Sequence, residues 1–257
     1  MPDMDPSIVE YCIDTWPDAY PICEKQCPLH LAKAPTIKAK NDKLRRTGFI
    51  YPIEYTSWVS NPVPVNKKQG AICVCTDYCN LNAVCPKDNY PTPFIDHVID
   101  ECVGHEVLSS MDGFSGYNQI QIQYLVEYKT TFTTPCGTFA YRVMPFGLKN
   151  VGATFQRAMS YAFHDLKHII LAYLDDLTTC SKKHPDHLND LHNIFTRCHW
   201  FNIRLNPSNV FFAYHLPTMT PRFYSIQIQH SGGPIESSCH RRNSSTTQPT
   251  TATKPPR

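Results

Sequence analysis

The sequence predicts an α+β fold in which an antiparallel sheet packs on helices. Three features carry that expectation. Stretches with helical apolar spacing run at 94–102, 150–166 and 185–200, β-rich runs lie between them, and two of those runs end in aspartate, at Asp112 and at Asp175-Asp176. Helices and strands interleaved without a regular strand–helix–strand repeat form mixed layers around a core rather than a parallel sheet. The chain has 257 residues, 42% hydrophobic and 18% charged, enough for one large domain or two small ones.

Residues 1–35 are rich in proline and polar groups and read as an irregular lead-in. The segment Ala34–Thr47 is basic with helical spacing, and Gly48 is its stop. Extended pieces at Phe49–Tyr55 and Trp58–Val65 precede a polar turn, Asn66–Gly70, and Ala71–Tyr78 is the return strand of that hairpin. Pro91 and Pro93 break the chain before a helix striped by Phe94, Ile95, Val98, Ile99 and Cys102. Glu106–Met111 is a strand leading directly into Asp112. Thr130–Val143 alternates around a turn at Gly137. Asn150–Leu166 carries Phe155, Met159 and Phe163 at intervals of four, the spacing of one helix face. Ile169–Tyr173 and Leu177–Cys180 flank Asp175-Asp176 as a hairpin, and Pro185–Trp200 is the last helix. Ser231–Arg257 is Ser, Thr, Pro and Arg with almost no apolar surface to offset the entropy of ordering, and is expected to be disordered.

No apolar run approaches a membrane span, and the acidic Met1–Asp5 lacks the apolar core of a signal peptide. The expectation is an intracellular protein, cytoplasmic or nuclear, not secreted and without a membrane partner. Twelve cysteines in such a chain argue against a disulfide framework. Neither Cys73, Cys75, Cys79 and Cys85 nor Cys23 and Cys27 make a CxxC pair with histidine partners, so scattered thiols are a better account than structural zinc. A net charge of +2 is neutral on whether the chain grips a phosphate backbone.

Phosphoryl transfer from a nucleoside triphosphate needs two divalent cations roughly 3.5–4 Å apart, clamping the attacking and leaving oxygens. Magnesium prefers carboxylates plus substrate phosphates to a closed protein cage. Asp112 ends one strand and Asp175-Asp176 sits at a hairpin tip, so adjacent strands can bring them together. An isolated Leu174-Asp175-Asp176-Leu177 would more often be an ordinary turn. The neighbouring segments reverse that balance.

Those segments are Thr76–Asn82 (TDYCNLN), Pro86–Pro91 (PKDNYP), Met111–Ile122 (MDGFSGYNQIQI), Lys129–Pro135, Gly137–Gln156 (GTFAYRVMPFGLKNVGATFQ), Tyr173-Leu174-Asp175-Asp176 and Arg204-Leu205-Asn206-Pro207. In that order, from about Met4 to Phe212, the chain resembles the reverse transcriptase of plant gypsy-type LTR retrotransposons. The resemblance implies a right-hand polymerase fold: a lead-in and basic helix at 1–48, β-rich fingers at 49–85 and 120–148, and a palm at 86–119 and 149–214. A degenerate tail at 215–257 takes the place of the thumb and ribonuclease H.

By the same resemblance, Asp112, Asp175 and Asp176 are the catalytic, metal-binding residues for two Mg2+ ions, with Mn2+ as a substitute. Asp112 and Asp175 bridge the two ions, and Asp176 is the less direct ligand. Tyr117 is the ring that excludes a ribose 2′-hydroxyl. Phe146 and Gly147 lie against the incoming nucleotide, backbone amides near Gly113 and Phe114 meet its triphosphate, and Lys67 or Lys68 reaches a phosphate. The implied partners are an RNA or DNA template with its primer and deoxynucleoside triphosphates.

The chain also departs from its relatives. Cys23, Cys27, Cys73, Cys79 and Cys180 stand where relatives carry arginine, Cys136 where they carry tryptophan, and from His215 onward the likeness is expected to fail. A thiol at Cys73 lacks the guanidinium's charge and fork of donors over the triphosphate. Apolar Tyr124, Leu125, Val126 and Tyr128 replace a polar loop. These departures point to a degenerate copy, so the second reading is a catalytically dead remnant that keeps the palm fold and binds nucleic acid weakly. A zinc module that binds nucleic acid is a third.

Overall fold

A computed structural model describes residues 4–27, 34–66 and 72–215 of the chain. The basic segment forms α1 (Ala34–Arg46), ended by Gly48 at φ 78°, whose N–H donates to Arg45 O at 3.1 Å. There follow β1 (Ile50–Pro52), β2 (Asn61–Asn66), β3 (Ile72–Asp77), α2 (Cys79–Val84), α3 (Ile95–Cys102), β4 (Val107–Gly113), β5 (Phe132–Thr134) and β6 (Gly137–Tyr141). The chain continues with α4 (Val151–Ala162), β7 (Ile170–Tyr173), β8 (Asp176–Ser181), α5 (His187–Trp200) and β9 (Leu205–His215). Three antiparallel sheets result, ordered β1-β6-β5, β2-β3 and β7-β8-β4-β9.

The mixed helix and antiparallel-sheet architecture is the one expected, with differences of detail. The β2–β3 hairpin forms as read, although its turn from Lys67 to Ala71 lies outside the described residues, as does the tail from residue 216. The piece at Phe49–Tyr55 shortens to β1, which pairs with β6 rather than its sequence neighbour. The lead-in is irregular but far from loose. Met4, Tyr11 and Ile13 are buried, and Met4 N–H and Tyr11 N–H donate to Gln119 O and Gln121 O. Lys129 Nζ donates to Ile13 O at 2.8 Å, completing a strap over the segment after Tyr117.

Register decides which side chains share a face. Val107, Ser109 and Met111 of β4 stand opposite Ser181, Thr179 and Leu177 of β8, while Leu108, Ser110 and Asp112 stand opposite Cys180, Thr178 and Asp176. Met111 and Leu177 join the main core with Phe155 and Met159 of α4 and Leu191 and Ile194 of α5. On the other face α3 closes a smaller cluster of Cys102, Leu108 and Cys180. Helices therefore cover both faces rather than one, and Asp112 and Asp176 lie on the α3 side, at the far end from Leu108. Cys180 is buried with Sγ 3.6 Å from Cys102 Sγ. An arginine could not enter that pocket without displacing its neighbours, so Cys180 is a packed core residue and not simply a lost charge.

Helix α5 is fastened to the sheet by a directional proton chain. Ser181 Oγ–H donates to Asp190 Oδ2 at 2.6 Å, which leaves Ser181 to accept from His187 Nδ1–H at 2.8 Å. His187 Nε2 then accepts from Ser109 Oγ–H at 2.7 Å. Burial, helped by His184 and opposed by Asp190, lowers the His187 pKa below its ordinary 6.5. As pH falls through that value the unfolded chain takes up a proton that the folded chain refuses. This contribution to stability is thus complete above about pH 6.5 and is lost below it. Urea denaturation at about pH 7.5 and 5.5 should show less acid destabilisation in His187→Gln than in the unaltered chain. Equal losses in the two proteins would contradict the neutral-imidazole assignment.

Candidate active site

The aspartates separated in sequence are brought together by strand pairing. Asp112, next to last in β4, is the direct cross-strand partner of Asp176, the first residue of β8. Cross-strand partners present their side chains on the same face. Tyr173 of β7 also pairs with Asp176, so Leu174 and Asp175 form a two-residue turn at the hairpin tip. The tip folds onto the end of β4, where Gly113 N–H donates to Asp175 O at 2.8 Å. The approach is close and leaves little room for a side chain. A Cβ on Gly113 would lie 3.3 Å from Asp175 O, and one on Gly116, at φ 45°, would lie 2.9 Å from Asp175 Oδ2.

Electrostatics at this junction are unfavourable without a counter-ion. Burial, with the Asp112 carboxylate adding to it, pushes the Asp175 pKa up to about 6 from 3.8. Asp112 Oδ2 accepts from Asn209 Nδ2 at 3.1 Å and, at the 3.5 Å limit, from Asn206 Nδ2, both on β9. Neutral amides orient a carboxylate but do not cancel its charge. Among the described residues no three His, Cys, Asp or Glu side chains are placed together to hold a metal ion, so Asp112, Asp175 and Asp176 do not form a ready-made three-carboxylate cluster. The donor set nevertheless fits a hard divalent cation that takes one or two carboxylates and completes its shell with water and phosphate oxygens. Like-charged carboxylates crowded at one half-buried spot are stabilised by such an ion.

The residues expected around a nucleotide divide into four groups. Tyr117 and Phe146 come together, edge to face with centroids 5.1 Å apart, and Tyr117 leans equally on Phe155 at 5.3 Å. Burial, then Asp175, Tyr173 and Asp176, raise the Tyr117 pKa. Gly147, at φ 100°, is turned toward the hairpin sheet: its carbonyl accepts from Asn82 Nδ2, and a Cβ there would lie 3.3 Å from Thr76 O. Lys67 and Lys68 lie outside the described residues. The Gly113 and Phe114 amides, expected to meet a triphosphate, are both hydrogen-bonded within the chain. Gly113 N–H bonds Asp175 O, and Phe114 N–H bonds Arg204 O at 2.8 Å.

Four polar residues of the site escaped the sequence reading as individuals. Asn206 and Asn209 are aimed at Asp112. Buried Gln119 bonds both ways to the start of β9, donating to Phe114 O and Arg204 O and accepting from Arg204 N–H at 2.7 Å. Buried Gln156 does the same for the Asp175 turn. For all but Asn209, the signal available was their place inside matched segments. What each amide does depends on contacts up to 97 residues apart along the chain.

The fold has counterparts among known proteins. A structure of the foamy viral protease-reverse transcriptase in complex with RNA/DNA hybrid superposes with TM-score 0.70 over 76% of this chain and 26% of that one, at 18% identity. At that identity the likeness shows the fold alone. The chain is 31% identical over 191 residues to the retrovirus-related Pol polyprotein from transposon 297 of Drosophila melanogaster, covering 72% of this chain and 18% of the polyprotein. It is 38% identical over 122 residues to an RNA-directed DNA polymerase homolog of Oenothera berteroana, covering 46% of this chain and 86% of that protein. The chain thus spans less than a fifth of the transposon 297 polyprotein. The reverse transcriptase (RNA-dependent DNA polymerase) family matches residues 64–237. That match runs past His215, so the likeness does not fail where the sequence reading ended it. With all three paired aspartates inside a match that covers more than half of its residues, the chain belongs to the reverse transcriptase (RNA-dependent DNA polymerase) family.

Proposed function

We propose that the chain is the fingers-and-palm core of an RNA-directed DNA polymerase, extending a primer on an RNA or DNA template from deoxynucleoside triphosphates. The observation that carries this reading is the junction of Asp112 with Asp175-Asp176 at the β4–β8 pair. Two Mg2+ ions, or Mn2+ in their place, held by Asp112 and Asp175 with Asp176 less directly, would neutralise the attacking and leaving oxygens. Through those ions the carboxylates would fix where the α-phosphate lies. The primer 3′-hydroxyl would lose its proton to solvent and form the new P–O bond in line as the bond to the departing pyrophosphate breaks. Base pairing reads the template.

Tyr117 serves as the wall against a 2′-hydroxyl, held by Phe146 and Phe155. Tyr117→Val should relax discrimination against ribonucleotides by at least about tenfold, read as the ratio of kcat/KM for the two sugars. An unchanged ratio would free Tyr117 of that role. The finer assignment is a gypsy-type LTR element of plants, supported by the ordered motifs and the Oenothera berteroana relative. Fingers at 49–85 and 120–148 hold the β1-β6-β5 and β2-β3 sheets, and a palm at 86–119 and 149–214 holds all but the last residue of the four-stranded sheet, which supports that division.

Primer extension on a homopolymer template with Mg2+ or Mn2+ tests the proposal, with Asp112→Asn and Asp175→Asn beside it. Metal-dependent incorporation that both substitutions abolish is the expected result. No incorporation by the unaltered chain would leave a remnant that keeps the fold without the activity.

A further inference from the structure

The turn that carries Asp175 is held in a conformation its own residues do not favour. Leu174 sits at φ 53°, in the left-handed region where a side chain with a Cβ costs roughly 1–2 kcal/mol. Glycine is the usual residue at the first position of a two-residue hairpin turn of this hand. Something must impose the geometry from outside. Gln156, on the buried side of α4, is placed to do so. Its Nε2 donates to Ala172 O at 2.9 Å, and its Oε1 accepts from Leu174 N–H at 2.8 Å. One side-chain amide thus grips the backbone on both sides of Tyr173 and spans the approach to Asp175. It is almost fully buried, so water cannot replace these bonds. The preceding residue on the helix, Phe155, packs its ring on Tyr117. A single turn of α4 therefore touches both the hairpin tip and the sugar-facing ring.

From this geometry we infer that Gln156 is a positioning residue for the metal-binding carboxylate of Asp175, holding the Leu174–Asp175 turn against the end of β4. The inference rests on the proposed metal site and deepens it. Gln156 touches neither substrate nor ion. It acts by fixing the backbone from which Asp175 projects, and so should set cation affinity. Outer partners that orient a metal ligand typically contribute about 10–100-fold in affinity or activity.

The test is Mn2+ binding, followed by the electron paramagnetic resonance of the free ion, on the full chain, on Asp175→Asn and on Gln156→Met. Methionine keeps roughly the length and volume of glutamine but makes neither hydrogen bond. The unaltered chain should bind Mn2+, Asp175→Asn should lose that binding, and Gln156→Met should weaken it by about tenfold with the number of sites unchanged. A residue that only supported folding would reduce the melting temperature and the number of competent sites but leave the affinity of the folded fraction intact. Should Gln156→Met fail to fold, Gln156→Glu keeps the acceptor for Leu174 N–H and loses the donor to Ala172 O, and should bind between the two extremes. Mn2+ affinity in a folded Gln156 variant equal to that of the unaltered chain overturns the inference while the metal site stands. Absence of Mn2+ binding by the unaltered chain overturns the metal site itself, and the role of Gln156 with it.

Discussion

Asp175→Asn is expected to cut incorporation by at least about a thousandfold, roughly 4 kcal/mol of transition-state stabilisation, while making the metal-free protein more stable. The two effects share one cause. Asp175 is held in a half-buried turn beside Asp112, and its pKa is pushed up to about 6 from 3.8. A carboxyl with a raised folded pKa favours the folded state below the unfolded value and loses that advantage as pH rises through the folded one. Its full cost is therefore present above about pH 6. Two units correspond to just under 3 kcal/mol, and partial exposure reduces this to about 2 kcal/mol. Asparagine keeps the shape and removes the charge. In chelator at about pH 7.5, urea denaturation should show Asp175→Asn more stable by that amount, with the gap closing toward about pH 4. Added Mg2+ should stabilise the unaltered chain alone. Incorporation surviving the substitution would remove the metal assignment, and a variant no more stable would remove the account of its cost.

Phe155→Ala should be the most damaging single change to the fold, at about 3–5 kcal/mol for the cavity alone. Phe155 is 1% exposed in the main core, and its edge-to-face contact with Tyr117 adds about 1 kcal/mol. Domains of this kind have only about 5–15 kcal/mol in total. Urea midpoints for Phe155→Ala and Phe155→Leu decide the matter. Leucine refills most of the volume and should recover at least half the loss. Equal losses would mean that ring contact with Tyr117, rather than volume, sets the cost.

The elements legible in sequence were those whose own side chains define a face. The four-residue spacing of Phe155, Met159 and Phe163 gave α4, and the apolar runs into Asp112 and Asp175 gave β4 and β7. What stayed hidden depended on partners. Strand β9, Leu205–His215, has Asn206, Pro207, Ser208 and Asn209 directly after its first residue, which carry no alternation, and it exists through pairing with β4 across two register shifts. Helix α2 has six residues and no apolar stripe, and its start is set by Asp77 Oδ1 accepting from Cys79 N–H. The loop at Tyr124–Tyr128 read as apolar, yet Tyr124 and Leu125 are more than 80% exposed while Val126 turns inward. At the site, the three carboxylates were legible because they punctuate strands. The amides that aim and hold them were not, since a glutamine announces nothing until its two hydrogen-bonding partners are in place.

The strap of residues 4–13 has a consequence for where this unit can be divided. The family signature begins at residue 64, yet Met4, Tyr11 and Ile13 are buried, and the backbone of Met4 and Tyr11 bonds the segment after Tyr117. A fragment trimmed to the signature would lay bare Ile120 and Ile122, together with the backbone donors and acceptors that Tyr11 now satisfies. The smallest piece able to fold is therefore longer at its amino end than the stretch by which the family is recognised.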